Sequence, residues 1–224
     1  MHAASADKIA VHNFWSKASC GEKLYLDGLG RGDYVRQAAQ RYELEPYVIR
    51  FADFDAARGR QVLEIGVGLG ADHQCFAEAG AHVYGIDLTP RAVEHTRRRL
   101  HAFGLGSSLD VGDAERLYFP DNRFDIVYSW GVIHHSPDTA AAAREIYRVL
   151  KPGGVAKVMI YHAWSMVGLM LWLRYALLGG KPWRSLRSVY SEHLESPGTK
   201  AYSRREARAL FKQFSSVPCL SRSF

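Results

Sequence analysis

An apolar run, Val62-Leu63, leads straight into Glu64-Ile65-Gly66-Val67-Gly68-Leu69-Gly70, and no other stretch restricts the fold of this chain so narrowly. Val62–Ile65 reads as a buried strand, and the glycines turn the backbone sharply where it leaves the sheet. Ala71–Ala79 reads as a helix stopped by Gly80, and a second apolar run, Val83-Tyr84-Gly85-Ile86, closes on Asp87. A strand, a glycine turn, a helix and a second strand ending in an acid form the layout of a nucleotide-binding βαβ unit.

The same rhythm continues. Thr89-Pro90 supplies a cap and a first helical residue for a helix running to about Phe103, before Gly104. Leu109–Val111 is a short third strand, and Phe124–Ser129 a fourth, after the turn Pro120-Asp121-Asn122-Arg123. Ser136-Pro137-Asp138 caps a helix that ends near Leu150; Lys151-Pro152-Gly153-Gly154 then breaks it and launches a fifth strand, Val155–Tyr161. Strands alternating with helices at these lengths predict an α/β fold. It is Rossmann-like and doubly wound, a mostly parallel sheet with helices on both faces.

Two regions flank this core. Residues 1–58 are aromatic and mixed, with a proline-initiated helix at Glu45–Phe51, and read as a helical cover segment over residues 59–224. An apolar helix is inserted at about 163–178, and Ser203–Phe214 reads as an amphipathic helix with a Ser203/Glu206 capping box. Only about ten residues follow Phe214. Val217-Pro218-Cys219-Leu220 gives at most one short strand, which its proline confines to an edge.

The chemistry begins at Glu64, two residues before the first glycine. A carboxylate there would repel a dinucleotide pyrophosphate, yet it suits the ammonium and sulfonium of S-adenosyl-L-methionine. The GxGxG spacing, in place of GxGxxG, also disfavours an NAD-dependent oxidoreductase. Further along come Asp87, the acid pair of Asp113-Ala114-Glu115, the run Ser129-Trp130-Gly131-Val132-Ile133-His134-His135, and Lys151-Pro152-Gly153-Gly154. With these motifs in this order, the chain resembles the class I S-adenosylmethionine-dependent methyltransferases over roughly residues 45–160. The branch is the small-molecule one that includes the ubiquinone and menaquinone methyltransferases. In such a family the acid at Glu64 faces the methionine amino group, and Ile65, Gly66, Gly68 and Gly70 bring the backbone close to the cofactor. Asp87, followed by Leu88, takes the ribose hydroxyls. Asp113, Ala114 and Glu115 meet the adenine, and Ser129, Trp130 and Gly131 line the methionine half. The same resemblance leaves the chain's C-terminal strand pair incomplete, since the family sheet usually closes with two antiparallel strands.

His134, His135 and His162 are the candidate catalytic residues, each a possible base for an acceptor hydroxyl because imidazole titrates near neutrality. Packing against the cofactor is the competing role, because methyl transfer needs little proton chemistry once the nucleophile is aligned. The apolar segment has two readings as well: an extra helix packed on the core, or a lid over an apolar, lipid-like acceptor. In the second, Arg174, Lys181, Arg184 and Arg187 touch anionic head groups, giving peripheral membrane contact through 163–187. The expected activity is methyl transfer to an oxygen or carbon of a small molecule. A cofactor-binding regulatory or partner protein without turnover is the alternative from another class.

Bulk properties exclude several classes. The net charge of +6 is supplied in part by Arg97-Arg98-Arg99, read as a solvated helix face rather than a nucleic-acid surface. The fourth-strand exit, Ser-Trp-Gly-Val, lacks the motif of amino-directed base methyltransferases, so no nucleic-acid partner is expected. Cys20, Cys75 and Cys219 are scattered, and no His/Asp/Glu cluster has ligand spacing, so neither a metal site nor a disulfide framework is expected. A span needs about 20 apolar residues, and 163–178 is too short and carries Arg174. With a polar Met1–Ile9, the cytoplasm is the expected compartment.

Overall fold

The computed structural model describes residues 5–219. Its centre is a sheet of β1 (Gln61–Ile65), β2 (His82–Asp87), β3 (Ser108–Val111), β4 (Phe124–Trp130) and β5 (Leu150–Met159), in the order β3-β2-β1-β4-β5. Every pairing is parallel; Val62, for example, lies opposite Val83 on one side and Ile126 on the other. The order reverses between β1 and β4, and in an open α/β sheet that switch point is where a ligand binds.

Alternation along the strands builds two cores. Leu63 and Ile65 of β1 and Val127 of β4 pack on one face, with Ala142, Ala143, Ile146 and Val149 of α7 (Thr139–Val149). Val62, Ile126 and Tyr128 pack on the other, against Phe76 of α5 (Ala71–Glu78). Each fully buried side chain of this size contributes about 1.5–3 kcal/mol. The helix caps are those the residue types require. Thr89 accepts the Ala92 N–H at the start of α6 (Pro90–Phe103), and Gly104 ends that helix in the left-handed region at φ +67°.

Among the described residues, four α-helices precede the sheet, α1 (Ala6–Trp15), α2 (Glu22–Tyr25), α3 (Arg31–Leu44) and α4 (Tyr47–Ala52), followed by a short 3-10 turn, Phe54–Ala57. Arg99 joins them to the core and is the clearest departure from the expected solvated face. Arg97 and Arg98 are exposed and pair with Glu94, but Arg99 is fully buried. Its guanidinium donates to the Gln37 side chain and Tyr34 carbonyl of α3, to Gln74 of α5, and to the Leu69 carbonyl in the glycine turn. At helical spacing the third arginine of the run turns inward, and buried acceptors on three segments take its charge.

Past α7 the sequence boundaries need correction. The fifth strand starts at Leu150, opposite Phe124, rather than at Val155, and ends at Met159 rather than Tyr161. The next paired residues are Ile126 and Val155, so Lys151-Pro152-Gly153-Gly154 loops out of the ladder instead of preceding it. After β5 come α8 (Met166–Trp172), a π-helical turn Leu173–Leu177, α9 (Leu186–His193) and α10 (Arg204–Leu210). The inserted helix thus begins three residues later than expected, at the Ser165 cap, which accepts the Gly168 N–H. The capping box at Ser203 and Glu206 forms, though its helix stops at Leu210, before Phe214. Among the described residues no strand follows β5, and 217–219 are irregular; Leu220 lies outside them. No helix among them is long and apolar enough to cross a membrane.

Candidate active site

The carboxyl ends of β1, β2 and β4 open into one cavity of about 1330 Å³, roofed by α1, α3 and α4. Ligand pockets commonly run to about 300–1,000 Å³, so this one has room for two bound molecules side by side. Gly66, Gly68 and Gly70 carry the chain under it with φ of +82°, +52° and +75°. A Cβ on Gly66 would fall 2.2 Å from Val132 Cγ2, whereas one on Gly68 would meet no protein atom within 4 Å and project into the cavity. Gly66 is therefore required by packing, and Gly68 forms a cradle of bare backbone.

Glu64 sits on the cavity floor, 4% exposed, with Oε2 2.8 Å from His73 Nδ1. Burial pushes this carboxyl above its ordinary range, against the opposing pull of His73. His73 was not singled out in the sequence; it lies one helical turn into α5, and only the fold brings it back under β1. Beside it, Asp72 accepts from Arg41 and Tyr42 of α3 and from Tyr128 of β4, tying the cover to the cavity wall.

Asp87 uses one oxygen for the Gly68 N–H, at 3.2 Å, and the other for the Thr89 N–H and hydroxyl, both at 3.0 Å. It shapes the glycine turn as well as facing the cavity, and burial raises its pKa. Asp113 accepts the Glu115 N–H, and Lys8 of α1 reaches across to both carboxylates, meeting Glu115 at 2.6 Å. Ile65, Leu88, Ala114, Trp130 and Gly131 also line the cavity. Ser129 does not: it is fully buried behind the wall, its hydroxyl without a partner among the described residues. As the sixth residue of β4, it points away from Trp130.

The three histidines separate. His135 and His162 line the cavity. His134 is fully buried outside it, its ring 4.0 Å from that of Tyr161, with neither nitrogen hydrogen-bonded among the described residues. Burial holds its pKa well below that of a free imidazole, so it stays neutral. His162 Nδ1 lies 2.8 Å from the Trp164 carbonyl. His135 Nδ1 lies 2.8 Å from both Ser196 Oγ and Thr199 Oγ1, while Nε2 is 3.3 Å from Glu195 Oε2. Glu195 also accepts from the Tyr161 hydroxyl at 2.8 Å. Burial pushes the Glu195 carboxyl up, but His135 and Tyr161 outweigh it and hold the pKa below the usual value.

Glu195 has a left-handed backbone, φ +53°, uncommon for a residue with a side chain. Nothing in the sequence marks it, because its partners come from β4 and β5 while it follows α9. Ligand atoms of His134, His135 and Glu195 lie within 4.8 Å of one another, so the fold gathers three donors able to hold a cation that spacing alone did not show.

A reversed parallel sheet, a glycine turn at its switch point and acids at the ends of β1 and β2 define a Rossmann-like nucleotide-cofactor domain. Residues 63–158 match the family model described as a methyltransferase domain. Phosphoethanolamine N-methyltransferase 2 of Caenorhabditis elegans is 40% identical over 114 residues, covering 50% of this chain and 26% of its own length. A sterol 24-C-methyltransferase of Gibberella zeae is 32% identical over 150 residues, covering 65% of this chain and 37% of its own length. The chain thus spans well under half of these relatives. The solved structure of YcgJ from Bacillus subtilis superposes with a TM-score of 0.59 at 24% identity, covering 75% of this chain and 67% of the other, a likeness of fold.

Proposed function

We propose that this chain transfers a methyl group from S-adenosyl-L-methionine to an oxygen or carbon nucleophile of a small, apolar or lipid-like acceptor. The observation that carries this reading is the pairing of a bare cradle at Gly68 with the buried Glu64 carboxylate beneath it. The cradle admits the cofactor backbone to backbone, and the carboxylate offers its ammonium a partner in a site poor in water. A pyrophosphate would meet the Glu64 carboxylate instead. The match of 63–158 to a methyltransferase domain supports the same reading, as do relatives named for methylating phosphoethanolamine and a sterol.

In this reading Asp87 and Leu88 hold the ribose, Asp113, Ala114 and Glu115 hold the adenine, and Trp130 and Gly131 flank the methionine end. The acceptor occupies the remaining space towards Tyr161 and His162. Bound S-adenosylmethionine supplies an electrophilic methyl on a sulfonium. The protein's part is to align the acceptor atom with the carbon–sulfur bond and exclude water, the source of most of the rate advantage. Where the acceptor is a hydroxyl, His162 is the better placed base: its Nδ1–H donates to the Trp164 carbonyl, which leaves Nε2 as the proton acceptor, whereas both His135 nitrogens already face protein oxygens. His134 contributes packing. An apolar acceptor also directs the chain to the cytoplasmic surface of a membrane, with contact through 163–187.

Incubation with S-adenosylmethionine labelled in its methyl group and fractionated cell extract, followed by identification of the labelled product, tests the activity. Label in a small apolar product supports it; no transfer by a protein that binds the cofactor would leave a binding protein without turnover.

A further inference from the structure

We propose that the face formed by α8, the π-helical turn and the loop to Trp183 docks on an anionic lipid surface and presents the cavity mouth to the bilayer. The docking stands on the surface alone, and only the entry of the acceptor from the bilayer rests on the function proposed above.

The helix is amphipathic in reverse. Its inner side is fixed to α9: Gly168 packs so closely on Tyr190 that a Cβ would lie 1.7 Å from the hydroxyl, and Ala176 is fully buried. The Tyr190 hydroxyl donates to the Ala163 carbonyl, and the Trp172 indole N–H donates to the Arg184 carbonyl, both at 2.8 Å. Tyr175 stacks on His193 at 3.9 Å. With the inner side so engaged, Met166, Leu169, Met170, Leu173 and Leu177 share the outer side at helical spacing, each more than a third exposed. Trp164, Leu178 and Trp183 extend the patch at 72%, 83% and 78% exposure. Scattered exposed apolar residues are ordinary, but a contiguous patch of this kind marks a contact surface.

Charge selects the occupant. Residues 163–191 contain no Asp or Glu and four basic residues, Arg174, Lys181, Arg184 and Arg187. Arg184 pairs with Glu192 and Arg187 with Glu206. Among the described residues, Arg174 and Lys181 are exposed and have no carboxylate partner. An apolar stripe with two cations at its rim that no carboxylate neutralises, Arg174 lying over the Tyr175 ring, is complementary to anionic head groups above acyl chains. The tryptophans suit the interface between the two. The patch also adjoins the mouth: Val167, 45% exposed, lines the cavity as well, next to Ser165 and across from Tyr190. A molecule leaving the bilayer at Val167 is already at the acceptor end.

The test is flotation of the full chain with vesicles of phosphatidylcholine, with and without phosphatidylglycerol, at low salt. The wild type is expected to float with the anionic vesicles and far less with the neutral ones. Leu169→Glu with Met170→Glu should lower the floated fraction at least tenfold, and Arg174→Glu with Lys181→Glu should remove the preference for phosphatidylglycerol. Thermal unfolding and S-adenosylmethionine titration of each variant keep misfolding apart from lost docking. The proposal is overturned if the wild type stays at the bottom of the gradient, or if the Glu variants float as well as it does. A dimer by size exclusion that the Glu variants dissociate, without flotation, would assign the face to a second copy. Failed flotation with intact cofactor binding overturns the docking only; failed cofactor binding overturns the proposed function only.

Discussion

Glu64 Oε2 and His73 Nδ1 lie 2.8 Å apart with one proton between them. The Ser107 hydroxyl donates to the Val83 carbonyl at 2.9 Å, so its oxygen can only accept from His73 Nε2–H, 2.7 Å away. That leaves Nδ1 facing a carboxylate oxygen, and the two cannot approach this closely without a shared proton. The acid that the glycine turn places on the cavity floor is thus held in orientation by a histidine that does not itself line the cavity.

Replacing Glu64 with Gln keeps the shape and removes the charge. Hydrogen bonds to charged groups contribute about 1.5–3 kcal/mol, so S-adenosylmethionine affinity should fall roughly 10–100-fold. The apo protein should be no less stable, because burying that carboxyl opposes folding. Calorimetric titration and thermal unfolding on the same preparation read both effects; equal loss of affinity and stability would point to a structural role.

Acidification should weaken cofactor binding. Burial raises the Glu64 pKa above its ordinary value. The folded site therefore takes up a second proton, neutralising the pair's carboxylate, at a higher pH than a free glutamate would. Affinity should be lost as pH falls through that raised value, by up to about tenfold per unit for one coupled proton. In Glu64→Gln the profile should be flat over the same range. A raised carboxyl pKa also means that this group's own contribution to apo stability falls as pH rises from the unfolded value through the folded one.

Gly66→Ala should fail in two ways at once. Its φ of +82° is strained for alanine, and the added carbon would overlap Val132 Cγ2 at 2.2 Å. The loss should be about 2–4 kcal/mol, with the turn displaced and cofactor binding abolished. Gly68→Ala meets no protein atom within 4 Å; it should lose less stability and still impair binding. Denaturant unfolding of the pair checks the contrast.

Arg99→Met should destabilise the chain by about 3 kcal/mol by removing charge-assisted hydrogen bonds from buried acceptors, lowering Tm by roughly 6–12 °C. Because Arg99 bonds both Tyr34 of the cover and Leu69 of the turn, limited proteolysis should also release the N-terminal helices sooner. Arg98→Met, on the exposed face of α6, should change neither.

The sheet, its order of elements and the turn under the cavity were legible because each depends on a local signal: apolar runs, glycines with positive φ, and caps such as Thr89 and Ser203. The β5 boundary was not, since Leu150 enters the ladder by pairing with Phe124, a long-range contact. The inward turn of Arg99 was hidden for the same reason, as its acceptors lie on α3, α5 and the glycine turn. At the site, Glu64, Asp87 and Asp113 declared themselves by position after strands. His73 and Glu195 did not, because one lies on a helix wall and the other on a loop after α9. Adjacent histidines on one short turn gave no hint that His134 is buried and His135 faces the cavity.

The most direct test of the central claim is calorimetric titration of the wild-type chain with S-adenosylmethionine and, separately, with NADH. The account predicts one S-adenosylmethionine bound per chain, and no heat from NADH at the same concentrations. Saturable NADH binding with none of the sulfonium cofactor would contradict it.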